Sequence, residues 1–148
     1  MKIVTKSRFC HFLSVLLLLA GTACSDQAVT WSAAERQNAR NLFESIQAAN
    51  EAATLSNALP AGSAGTDAAE AVLAQLRRAS NFAALVDETV LIKAHPALRK
   101  KFRQQYQPAL AQLIRYYETG ELPAGQTPAR DMRDFSKWFI DKQYEFRW

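Results

Sequence analysis

The chain has 148 residues, 22% of them charged, and a formal net charge of +4. Three of its 18 basic residues (Lys2, Lys6 and Arg8) stand in the first ten positions; from residue 24 onward the balance is 15 basic against 14 acidic side chains, which removes the footing for a nucleic-acid binder. From the same point there is one cysteine (Cys24) and one histidine (His95), too few for an internal disulfide or a Cys/His zinc site.

In chain order, the first element is a leader. A basic start carrying Lys2, Lys6 and Arg8 precedes the apolar run Phe12–Ala20, then the small residues Gly21, Thr22 and Ala23, then Cys24 and the polar Ser25-Asp26-Gln27. Charged, apolar and small-residue zones in that order make a secretory signal. The apolar run from Phe9 to Ala23 falls short of the roughly 20 residues a spanning helix needs, and it contains His11. With cysteine at the expected first mature position, the segment resembles the signal of bacterial lipoproteins, whose cysteine is lipidated and becomes the new N-terminus. The match covers residues 1–24. Thr22 and Ala23 fit the usual pattern, whereas Gly21 stands where that family has Leu. Ordinary cleavage after Gly21-Thr22-Ala23 is the alternative, and it leaves Cys24 a free thiol. The resemblance implies a membrane anchor through Cys24. Ser25, with Asp26 only one step later, implies the inner leaflet of the outer membrane, facing the periplasm; the soluble periplasm is the alternative.

Removing residues 1–23 of 148 leaves 125, one modest domain. Residues 24–31 read as a tether and 32–148 as a single all-α domain, rich in Ala, Leu, Gln, Arg and Glu and without alternating strand patterns. Ser32-Ala-Ala-Glu35 is a capping box opening a first helix to about Asn57. Ala39, Leu42, Phe43, Ile46, Ala49 and Ala53 form its apolar face, opposite Glu35, Arg36, Arg40, Glu44 and Glu51. A loop over residues 59–65 follows.

Thr66 or Asp67 starts a second helix with Ala69, Val72, Leu73, Leu76, Ala83, Val86 and Val90 on one face, and a break is expected near Ser80-Asn81. Pro96 is placed to start a third, with Leu98, Phe102, Tyr106, Leu110, Leu113 and Tyr117 in register and Gly120 as its stop. Pro108 lies inside that pattern and predicts a kink or split near Tyr106-Gln107. Thr127-Pro128 opens a last helix running to the C-terminus, with Met132, Phe135, Phe139, Lys142 and Phe146 along one stripe. The expected architecture is a small antiparallel bundle of about four helices.

Two features stand out as candidate interaction surfaces. Lys93 to Tyr117 carries Lys93, Arg99, Lys100, Lys101, Arg103 and Arg115 and no acidic residue, flanked by net acidic segments. Neutralisation by carboxylates of a neighbouring helix, such as Asp131 and Asp134, is the structural alternative. Near the C-terminus, Trp138 and Tyr144 lie off the apolar stripe and Trp148 sits at a frayed end, where they could anchor a partner or pack internally. His95, just before Pro96, reads as a local cap. Asp87-Glu88 and the pair Asp131, Asp134, the latter beside Arg130 and Arg133, read as surface ion pairs. No phosphate loop, GxSxG or HExxH is present.

The expectation is therefore a binding protein without metal or cofactor and not an enzyme. It would be a lipid-anchored interaction protein of the bacterial envelope with a protein partner, of inhibitor, immunity or accessory type. The alternative is a helical-bundle carrier of a lipid or other amphiphile. An exposed patch of Trp138, Tyr144 and Trp148 favours the partner, and an apolar cavity favours the ligand.

Overall fold

The computed structural model describes residues 30–148, so Cys24 and the leader lie outside the described residues. Trp31–Trp148 forms one compact unit. It is all-helical, with no strand among the described residues.

Helix α1 (Ala33–Asn57) starts on the expected capping box: Ser32 Oγ accepts from the Glu35 N–H and Glu35 accepts from the Ser32 N–H. The loop after α1 packs on the end of a later helix at two glycines. Gly65 and Gly120 both have φ of +76°, and a Cβ on Gly65 would stand 2.9 Å from the Gly120 nitrogen. A 3-10 turn (Asp67–Ala69) leads into α2 (Glu70–Ala84).

The next break differs from expectation. Helix α2 runs through Ser80-Asn81 and ends at Ala84; α3 (Glu88–Ala94) then starts on Asp87, whose carboxylate accepts from the Thr89 N–H and hydroxyl. The reason lies in α1. Asn38 bonds both backbone groups of Asp87, and Asn41 donates to the Leu85 carbonyl, so two buried asparagines hold the corner at residues 85–87.

Pro96 and Ala97 form a turn, and α4 (Leu98–Lys101) follows it. A π turn (Phe102–Tyr106) joins α4 to α5 (Gln107–Thr119) into one continuous rod, so the helix does not split, and the irregularity expected near Tyr106-Gln107 takes the form of a widened turn just before Pro108. In a regular α-helix the Pro108 ring would crowd the Gln104 carbonyl. Widening the preceding turn, with the Gln107 N–H donating to the Phe102 carbonyl, absorbs the misfit.

Helix α6 (Pro128–Lys142) begins with proline but without a Thr127 side-chain cap. It stops short of the C-terminus: a 3-10 turn (Gln143–Glu145) follows, and the Arg147 N–H donates to the Ala94 carbonyl at the end of α3. With α4 and α5 counted as one rod, five helices among the described residues replace the expected four.

The expected stripes form the core. Leu98, Phe102 and Tyr106 are fully buried, as are Leu42, Leu76 and Phe135, with Leu110, Met132, Phe139 and Phe146 nearly so. Phe43 and Ala53, expected on the buried face of α1, are instead exposed. Helix α1 packs mainly on α2, α2 on α5 and α5 on α6, while α1 and α6 meet only lightly. No described helix is long and apolar enough to cross a membrane.

Candidate functional site

The light contact between α1 and α6 leaves an open seam. Two hollows of about 640 and 680 Å³ lie along it and meet at Asn50 and Ile140. The first takes its α1 wall from Ala49, Ala52 and Ala53, its floor from Val72, Leu76, Leu113 and Tyr117, and its α6 wall from Met132, Ser136 and Ile140. Alanines leave the gap: a helix face with methyl groups where a core would need branched chains cannot fill the space to its neighbour. The second hollow holds Phe43, Ile46, Leu55, Phe139 and Ile140. Phe43, Leu55 and Ile140 are 43%, 39% and 52% exposed, so large apolar side chains face solvent around this one hollow.

Each hollow also contains a polar atom without a partner. Ser136 Oγ and Gln75 Oε1 are buried and make no hydrogen bond among the described residues. A buried hydroxyl or amide oxygen in that state is uncommon and calls for an explanation. At the rim of the first hollow stand Arg133, Lys137 and Asp141, and none of the three makes an ion pair among the described residues.

The sequence-predicted surfaces lie elsewhere. Lys93 donates to Glu35 at 2.7 Å and sits 4.6 Å from the centre of the Trp31 ring. This contact, with the capping bonds from Ser32, holds the Glu35 carboxyl down at about 2. Arg99 reaches Glu88 at 3.7 Å, and Lys101 lies over Trp138 at 5.0 Å and against Gln105. Lys100 and Arg103 form no ion pair among the described residues. The carboxylates of Asp131 and Asp134 reach none of these cations, nor do they pair with Arg130 or Arg133; it is the Asp131 backbone carbonyl that accepts, from Gln105.

The aromatic trio is dispersed. Trp148 is not frayed: it packs on Trp31, Phe43, Phe139 and Phe146 at ring distances of 5.2–6.3 Å. Trp138 packs on His95, Phe135 and Phe146. Tyr144 alone is open, at 91% exposure. His95 accepts the Ala97 N–H on Nδ1, which places the proton of the neutral ring on Nε2, 3.5 Å from Glu145. No serine hydroxyl hydrogen-bonds it among the described residues. No group of His, Cys, Asp and Glu that could hold a metal occurs among the described residues.

Comparison with protein-family models, with curated proteins and with solved structures finds no match for the chain. The seam was missed in the sequence because it is a gap between elements distant in the chain, α1 ending at Asn57 and α6 starting at Pro128. Its one local signal is the Ala48-Ala49 and Ala52-Ala53 pairs, where the helical period asks for bulk.

Proposed function

We propose that this chain is a lipid-anchored binding protein of the bacterial envelope, facing the periplasm, whose site is the seam between α1 and α6 and whose ligand is a single-chain anionic amphiphile. The anchor rests on the leader and Cys24. The ligand rests above all on Ser136, a buried hydroxyl without a partner in a half-open apolar hollow. Pockets of 300–1,000 Å³ lined by apolar side chains with a few polar handles, set between bundle helices, are the common form of small-ligand sites. Arg133 and Lys137 at the rim match an anionic headgroup, and the exposed Phe43, Leu55 and Ile140 match an acyl chain running along the second hollow. Binding rather than catalysis fits His95, whose two nitrogens are engaged in a local cap and beside Glu145.

Native mass spectrometry and displacement of a fluorescent fatty acid test the reading. One amphiphile should bind per chain. Ala53→Trp, which fills the first hollow, should abolish binding while Tyr144→Ala leaves it unchanged. An Ala53→Trp protein that binds as well as wild type would sink the proposal.

A second reading keeps the seam and changes its occupant to an amphipathic helix of a protein partner. From Phe43 to Asn57 the α1 wall is about 21 Å long, the length of a four-turn helix, and its alanines permit close backbone approach. Capture of such a helix, blocked by Ala53→Trp and without any bound amphiphile, would select it.

A further inference from the structure

A second group of cations without close carboxylate partners lies away from the seam. Ile92, Pro96, Arg99, Lys100, Arg103 and Gln104 line an open hollow of about 260 Å³ where α3 meets the α4–α5 rod. Lys100 and Arg103 make no ion pair among the described residues, and Arg99 has only a long contact to Glu88. Between these cations Ile92 is 46% exposed. A face that only solvated its own charges would gain nothing from an exposed branched apolar side chain among them. Cations around an apolar tip are what a membrane interface accepts: charge at the phosphates, hydrocarbon just below them.

Position supports the same occupant. Lys93, next to Ile92 in α3, bonds Glu35 in the first turn of α1 and covers Trp31, so α3 is fastened to the end at which the folded unit begins. Trp31 stands seven positions after Cys24, a span that reaches no more than about 25 Å at full extension. An anchor at Cys24 would hold this end of the domain at the headgroups. We infer that the hollow around Ile92, Arg99, Lys100 and Arg103 is a landing surface for anionic phospholipid headgroups, with Ile92 entering the interface. The inference rests on the proposed anchor only for proximity. The seam's first hollow lies at the other end of α1, around Ala49 to Asn57, and would stay open to the periplasm.

The test removes the anchor so that the two ideas fail separately. The mature chain carrying Cys24→Ser should co-sediment with vesicles of phosphatidylglycerol and phosphatidylethanolamine but not with phosphatidylcholine alone. Binding should weaken as salt shortens the screening length from about 10 Å toward 3 Å. Lys100→Glu with Arg103→Glu should lower it about tenfold or more, since each cation near such a surface contributes roughly fivefold. In the same background a spin label at Ile92→Cys should be shielded from aqueous relaxant on vesicles, while one at Thr54→Cys stays accessible. Equal binding to neutral vesicles, an unaffected double reversal, or equal accessibility of the two labels would each overturn the inference. Loss of membrane attachment in cells on Cys24→Ser speaks to the anchor alone.

Discussion

Between α1 and α2 the protein closes on itself, whereas between α1 and α6 it stays open, and a buried serine marks each joint. Ser45 is fully buried in the closed joint, where its hydroxyl donates to the Ala79 carbonyl at 2.7 Å and accepts from the Tyr106 hydroxyl at 2.8 Å. A serine has one proton, and the α2 carbonyl takes it, so Tyr106 must be the donor in the second bond. Burial in turn pushes the Tyr106 phenol well above its usual range, keeping it a donor at any ordinary pH. Ser136 is almost as buried, at 6% exposure, yet its oxygen has no partner among the described residues. The first serine is part of how the fold is specified; the second marks where packing stopped. The same residue type in two joints thus separates a structural network from a vacancy.

The largest effect should come from the closed side. Phe102 is fully buried and stacks on Tyr106 at 5.6 Å. Phe102→Ala should cost about 3–5 kcal/mol in denaturant unfolding. A loss under about 1 kcal/mol would mean that the α4–α5 rod is not part of a closed core.

The Ser45 network should give a smaller loss with a distinctive pattern. Ser45→Ala strands the Tyr106 hydroxyl in the core and should cost about 1–3 kcal/mol. Adding Tyr106→Phe removes the stranded donor, so the double variant should be less destabilised than the sum of the singles. Strict additivity in that cycle would show that the two hydroxyls do not share a bond.

What the sequence made legible is what a single helix can report about itself. The capping box at Ser32 and Glu35 and the stripe from Leu98 to Leu110 follow from local spacing, and both stand as expected. The α2–α3 corner was misplaced because Asn38 and Asn41, more than 40 residues away, decide it. Trp148 was misread as frayed because the tail's fold-back rests on the backbone bond from Arg147 to Ala94 and on contacts with Trp31 and Phe43. Phe43 has helical spacing fit for the core and meets Phe139 of α6 at 5.1 Å, yet it stays 43% exposed, and period alone cannot show how far a partner covers it. The seam is invisible for the same reason.

Acid tests the clasp that joins α3 to the start of α1. Lys93, then the Ser32 capping bonds, lower the Glu35 carboxyl from 4.5 to about 2. A group whose folded pKa is depressed adds stability above its unfolded value and loses it as pH falls through the folded one. Stability should therefore decline between pH 4.5 and about 2 through Glu35, and thermal melts of Glu35→Gln should show a flatter decline over that window. A variant with an unchanged slope would show that the clasp opens in solution.

The smallest effect on stability should come from Ser136, and it is the sharpest discriminator between the two joints. Ser136→Ala removes a buried oxygen that has no bond to lose, so the desolvation penalty of that hydroxyl disappears with it. Unfolding free energy should change by no more than about 0.5 kcal/mol, or rise, in contrast with Ser45→Ala. If an amphiphile's polar group meets this hydroxyl, the same substitution should weaken ligand binding by roughly fivefold or more, the worth of one neutral hydrogen bond. Stability and binding would then move independently at one residue, which packing alone does not produce. A Ser136→Ala protein destabilised by more than about 1 kcal/mol would instead mean that the hydroxyl is satisfied in solution and that the seam is closed around it.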